Sequence, residues 1–172
     1  MTTEILDKNE IVTATNNVVS ELIELISSLD ENDINTIPYE GSWTAAQLLR
    51  HISKSMKGMA KTLQMDAKPA DRDPGQRVEE LKKIFLDSSN KFESPDFIVP
   101  EEEVYKKQYS IAELRNAFKE FEENINNISL NELIESAVLG PITKWEIIHF
   151  VLYHTQRHLL QMQKICAALK VK

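Results

Sequence analysis

Two histidines spaced four residues apart, His154 and His158, are the residues of this sequence best suited to chemistry. On a helix this spacing brings both imidazoles to one face, one turn apart, where they can share a metal ion. Histidines at this spacing also occur as hydrogen-bonded core residues, so the spacing alone leaves both interpretations open. His149 lies five residues before His154 and should point elsewhere.

A metal ion held by this pair would have open coordination positions. Cys166 is the single cysteine of the chain, whereas closed structural zinc sites often use several cysteines. The position of Cys166 on an apolar stripe favours a small buried side chain over a catalytic thiol. Even with a third neutral imidazole, such a site would leave room for water or substrate, which is the arrangement that lets a divalent cation lower the pKa of bound water or polarise a substrate oxygen.

The histidine pair lies on the longest helical pattern of the chain, predicted at 143–169. Thr143 and Glu146 form a capping-box pattern at its start, and Pro141 prevents the helix from beginning earlier. Beyond the cap, apolar residues form two adjacent stripes. More than half of the helix surface therefore requires burial.

The same apolar periodicity predicts four more helices, at 9–29, 43–64, 76–91 and 110–127. Thr44 with Gln47, and Ser110 with Glu113, give capping-box patterns at two of their starts. The connecting segments are polar, and almost nothing indicates a β-strand. The connection at 94–109 is long enough to be a lid or a pocket wall, but it could equally carry the chain from one end of a bundle to the other.

These helices predict an all-α fold. The first, second, fourth and fifth would form a four-helix bundle, with the third as an additional shorter helix. A chain of 172 residues with no internal repeat fits a single domain over residues 1–172. Five apolar-striped helices exceed what a four-helix core needs, so a homodimer formed through a spare face is an open alternative.

Charge and hydropathy exclude two classes of partner. The net charge of -7 and the absence of a run of Lys and Arg disfavour nucleic acid. No basic amphipathic segment indicates membrane docking, and no apolar run approaches the length needed to span a bilayer. The first residues, MTTEILDKNE, do not resemble a signal peptide, so we expect a cytoplasmic protein that acts on small molecules.

Two stretches resemble the DinB/YfiT-like superfamily of helical-bundle metalloenzymes. They are PYEGSWTAAQLLRHISKS and, about a hundred residues later, VLGPITKWEIIHFVLYHTQRHLLQMQKI. The resemblance implies an up-down-down-up bundle in which His51, His154 and His158 bind one divalent metal ion. It also implies that Gln161 is a hydrogen-bond partner of these ligands. His149 matches no ligand position, which favours a structural or surface role.

The resemblance further implies an activity, because the superfamily includes S-transferases that use small thiol cofactors. The expectation is a metal-dependent enzyme, with zinc or nickel, that activates water or a small thiol for attack on a small electrophile. It would then be a hydrolase or an S-transferase. The alternatives are a non-enzymatic, stress-related bundle that binds a metal or small ligand, and a bundle that serves only for self-association. The sequence indicates neither the substrate nor a general base.

Overall fold

Within residues 6–170, the part of the chain that this computed structural model describes, five α-helices make up most of the fold. They are α1 (Lys8–Ser27), α2 (Ala45–Thr62), α3 (Val78–Leu86), α4 (Lys107–Asn126) and α5 (Lys144–Lys170). The predicted helices are confirmed, with the largest difference in bounds at the end of α3. There the Asp87 side chain accepts hydrogen bonds from the backbone and the hydroxyl of Ser89, which turns the chain away from the helix.

Two of the predicted capping boxes set the starts of α2 and α5. The Thr44 hydroxyl accepts from the Gln47 backbone, and the Gln47 side chain accepts from the Thr44 backbone. Thr143 and Glu146 make the same reciprocal pair at the start of α5. Because the caps fix where each helix begins, they also fix which side chains face the bundle.

The capping box predicted at Ser110 is wrong. α4 begins one turn earlier, at Lys107, whose backbone N–H donates to the Glu31 carboxylate at 3.2 Å. The Ser110 hydroxyl instead donates to the carbonyl of Lys106 within the first turn. A side chain from a distant loop therefore supplies the acceptor that a local pattern was expected to supply.

Contacts between helix ends show that α2 and α4 run parallel. Arg50 near the start of α2 pairs with Glu113 near the start of α4. Asn124 near the end of α4 donates to the Ala60 carbonyl near the end of α2. The chain must therefore return along the length of the bundle between α2 and α4, and it does so through α3 and the long connection that follows.

The remaining helix directions complete the predicted up-down-down-up order. Cys166 near the end of α5 contacts the Leu25 carbonyl near the end of α1, so these two helices are parallel. The Lys107 ammonium at the start of α4 donates to the Leu29 carbonyl just after the end of α1, so α1 and α4 are antiparallel. Because α5 is parallel to α1 and α2 is parallel to α4, α2 and α5 are antiparallel. The predicted all-α four-helix bundle with an additional shorter helix is thus confirmed.

The structure corrects the expectation that the chain has almost no β-strand. Three short strands, β1 (Lys68–Pro69), β2 (Glu132–Ser136) and β3 (Gly140–Thr143), form an antiparallel sheet in the order β1-β2-β3. The β2–β3 hairpin closes through three residues and then Gly140, whose φ of 67° favours glycine. Ile134 and Ile142 face each other across the hairpin and are buried, which ties the sheet to the helical core.

The additional helix α3 packs against α5 outside the four-helix core. Phe85 of α3 makes an edge-to-face contact with Phe150 of α5 at 4.9 Å between ring centroids. α3 therefore forms a wall beside the face of α5 that carries the histidine pair. Among the described residues, no helix has the length and apolar character needed to cross a membrane.

Candidate metal centre

Three buried histidines meet between α2 and α5. His51 comes from α2, about two turns after its cap, and His154 and His158 come from consecutive turns of α5. The antiparallel packing of the two helices brings together residues that are about a hundred positions apart in sequence. The Trp43 ring covers His51 at 4.9 Å between ring centroids.

The three side chains meet through their Nε2 atoms. The Nε2 atom of His158 is 3.1 Å from that of His51 and 3.1 Å from that of His154. One ligand atom from each residue lies within 4.8 Å of the other two. Two nitrogen ligands about 2.1 Å from one ion lie about 3.0–3.4 Å apart at octahedral to tetrahedral angles. The two separations of 3.1 Å therefore fit ligands of a single cation, with His158 between His51 and His154.

The opposite ring nitrogens show how the imidazoles are protonated. The Nδ1 atom of His51 is 3.0 Å from the Ile98 carbonyl oxygen, and that of His158 is 2.9 Å from Oε1 of Gln161. Both partners only accept hydrogen bonds, so each Nδ1 must carry the hydrogen. Each Nε2 then presents a lone pair. Two lone pairs 3.1 Å apart cannot hydrogen-bond to each other, whereas a cation between them satisfies both.

Burial keeps the three imidazoles neutral. His51 is 1% exposed, and His154 and His158 are 8% exposed. Desolvation by burial lowers the pKa of each of them, and the pKa of His158 falls to about 3. Neutral imidazole is the form that binds a metal ion.

The carbonyl that orients His51 belongs to a segment fixed to α2 by ion pairs. Lys54 donates to the carbonyl of Val99, next to Ile98, and to the Glu101 carboxylate. Arg50 also pairs with Glu101 at 2.9 Å. Hydrogen bonds to Arg50 and Lys54 hold the pKa of Glu101 well below its usual range, so this carboxylate is ionised at neutral pH. The part of the connection that contains Ile98 is thereby held against the candidate site.

His149 does not join the cluster. Its Nδ1 atom is 2.9 Å from the carbonyl of Trp145 one turn earlier, and its ring packs against Trp145 and Tyr153. It is 1% exposed, and its Nε2 atom has no hydrogen-bond partner among the described residues. The buried position of His149 outside the cluster agrees with the observation that it matches no ligand position of the superfamily.

A cavity of about 1210 Å³ opens beside the three histidines. Its walls come from α2, α3 and α5, from the connection that follows α3 and from the β2–β3 hairpin tip. Ser94, Phe97 and Ile98 line the cavity, so the first part of the 94–109 connection is a pocket wall. Sequence reasoning missed most of these walls, although Phe97 and Val138 stand out as large apolar residues in loop and turn segments.

The family model of the DinB superfamily matches residues 15–162 of this chain. A similar solved structure is YfiT from Bacillus subtilis, described as a probable metal-dependent hydrolase with an unusual four-helix bundle topology. The two chains share 14% identity with a TM-score of 0.60, over 96% of this chain and 90% of the other. At this identity the likeness shows the fold alone. No curated protein matches the chain.

Proposed function

This chain belongs to the DinB superfamily, and from that premise we propose that it is a divalent-metal-dependent enzyme. His51, His154 and His158 would hold the ion, and the adjoining cavity would hold a small electrophilic substrate. The observation that supports this most directly is the meeting of three neutral imidazoles through their Nε2 atoms. For two of them the Nδ1 hydrogen bonds leave the Nε2 lone pairs facing each other.

The donor set favours zinc or nickel over calcium or magnesium. Imidazole nitrogen suits the later transition metals, whereas magnesium and calcium prefer oxygen ligands. When bound, such an ion with open positions polarises a substrate oxygen or favours the ionised form of water or a thiol. Three protein ligands facing a cavity fit this open arrangement.

The protein residues orient the ligands and shape the substrate site. The Ile98 carbonyl and the Gln161 amide fix the rings of His51 and His158, because each accepts the hydrogen of Nδ1. Among the described residues that line the cavity, Glu93 is the one carboxylate. Glu93 is exposed. The attacking water or thiol would therefore lose its proton without the help of a buried carboxylate.

Water and a small thiol are the two candidate attacking groups, and turnover measurements separate them. We expect the metal-loaded protein to convert either an activated ester alone or a chlorodinitrobenzene-type electrophile in the presence of a small thiol. Activity in the first assay indicates a hydrolase, and activity only with thiol indicates an S-transferase.

His158→Ala should abolish this turnover, whereas His149→Ala is the matched control, since it removes a buried histidine from the same helix outside the cluster. A metal-loaded wild type inactive in both assays would favour the alternative, a bundle that binds a metal or small ligand without turnover. Equal activity of His158→Ala and the wild type would contradict a role for the three-histidine site.

A further inference from the structure

The lining of the cavity carries a charge opposite to that of the whole chain. The described residues that line it include the basic residues Arg77, Lys91, Arg157 and Lys164, against one acidic residue, Glu93. The chain as a whole has a net charge of -7. A positive lining in an acidic protein raises the local concentration of anions, so this cavity favours an anionic occupant.

Two of these basic side chains are part of the walls. The guanidinium of Arg157 donates to three backbone carbonyls at the end of α3 and beyond, and lies 4.9 Å from the centre of the Phe92 ring. Arg77 donates to the carbonyls of Leu139 and Pro141. Both therefore hold cavity walls in place and are not free to follow a ligand. The Glu80 carboxylate, 3.5 Å from Arg77, offsets part of the charge of Arg77.

The two lysines are available to a ligand. Lys91 and Lys164 are exposed, and neither forms an ion pair with a carboxylate in the described part of the chain. Lys164 has a fixed relation to the candidate metal centre, because it lies on α5 six residues after His158. Six residues span about 9 Å along a helix axis.

The mouth of the cavity is apolar. Ten large hydrophobic residues are exposed by more than a third among those described, and half of them line this one cavity. These are Tyr39, Phe92, Phe97, Val138 and Leu160. Clustering of exposed apolar side chains around one concave site is typical of a ligand-binding surface.

We infer that the cavity binds an organic anion with an apolar body, whose anionic group pairs with Lys164 about 9 Å along α5 from the histidine end. The apolar body would contact the side chains at the mouth, and the reacting group would face His51, His154 and His158. This inference deepens the proposed function. It rests on the proposed function for one point, that the end of the ligand near the histidines is the end that reacts.

Two dyes with the same aromatic body test the inference by fluorescence titration. Anilinonaphthalene sulfonate carries an anionic group, and phenylnaphthylamine is its uncharged counterpart. Lys164→Glu should weaken binding of the sulfonate dye about three- to tenfold, as expected for reversing one exposed charge, and leave the uncharged dye unchanged. Lys170→Glu is the matched control on the same helix outside the cavity, and it should change neither dissociation constant.

A second pair of variants tests the apolar contact between the ligand and the mouth of the cavity. Leu160→Ser should weaken both dyes by at least about threefold, because it removes apolar surface from the mouth. Val104→Ser is the control, since Val104 is 79% exposed and does not line the cavity. Equal effects of Lys164→Glu and Lys170→Glu on the sulfonate dye, or equal effects of Leu160→Ser and Val104→Ser, would overturn the inference.

The metal content of each sample separates this inference from the proposed function. The titrations are made on the protein as purified and again after chelation, with elemental analysis of both samples. A metal-free wild type that shows the dye responses would contradict the metal function alone. A metal-loaded wild type without those responses would contradict the anionic ligand alone.

Discussion

At the scale of single residues, the surroundings of Nε2 distinguish a candidate ligand from a core histidine. His149 is as deeply buried as His51, so burial does not separate them. The Nδ1 atoms of all three lie against an acceptor. His51 and His158 differ from His149 because their Nε2 atoms face other imidazoles, whereas Nε2 of His149 has no hydrogen-bond partner among the described residues. The spacing of the α5 pair could be read from the sequence, whereas His51 could be assigned only through a resemblance.

The hydrogen bond from His158 to Gln161 gives a prediction at this scale. Gln161→Leu should weaken metal binding about 10- to 100-fold, because the ring of His158 loses the acceptor that fixes its orientation and tautomer. Competition titration with a chromophoric chelator measures the change. Gln163→Leu is the matched control on the exposed side of the same helix. Wild-type affinity in the Gln161 variant would show that the amide does not orient the ligand.

At the scale of secondary-structure elements, the helices could be predicted because apolar periodicity and caps act locally. The start of α4 could not be predicted, because the Glu31 side chain that accepts the hydrogen bond from the Lys107 backbone is 76 residues away in sequence. The sheet was missed because β1 has two residues and β3 four. Strands this short acquire their pairing from the surrounding fold rather than from alternating hydropathy.

The start of α5 depends on the buried carboxylate of Glu146. It accepts from two guanidinium nitrogens of Arg72 at 2.6 and 2.7 Å, and from the backbone N–H groups of Arg77 and Thr143. Burial alone would raise the pKa of Glu146, but these hydrogen bonds outweigh it and the pKa lies below the ordinary value of 4.5. This one side chain therefore links α5, the loop before α3 and the start of α3.

Replacing this carboxylate should destabilise the protein in a pH-dependent way. Glu146→Gln should lower the free energy of unfolding at pH 7 by about 2–4 kcal/mol, since Arg72 loses its charge partner and the new amide cannot accept every bond. A lowered pKa in the folded state stabilises the wild type above the unfolded pKa, and that stabilisation is lost as the pH falls through the folded pKa. The difference between the two proteins should therefore narrow below about pH 4.5.

Chemical denaturation at neutral and acidic pH measures this difference. Glu123→Gln is the control, because its ion pair with Lys119 lies between two well-exposed side chains and should contribute little. A Glu146 variant as stable as the wild type at pH 7, or a difference that widens in acid, would contradict the role given to this carboxylate.

At the scale of the whole molecule, ligand binding should be linked to stability. A metal ion at about 100 times its dissociation constant stabilises the folded state by about 2.7 kcal/mol. For a chain of this size that corresponds to a rise in melting temperature of about 5–10 °C. A chelator should remove this increment from the wild type and leave His158→Ala unaffected.

The helical fold should remain in His158→Ala, because the apolar faces of the bundle supply most of the burial energy. Circular dichroism melts with and without chelator test both statements. A variant that is destabilised equally with and without chelator would identify His158 as a structural core residue instead.

Elemental analysis of the purified protein tests the central claim most directly. The wild type, expressed with zinc and nickel available and then dialysed, should retain about one divalent ion per chain, and His158→Ala should retain none. His149→Ala should keep the wild-type content. A wild type that holds no divalent ion after exposure to both metals, or a His158 variant that holds as much as the wild type, would contradict the three-histidine metal site.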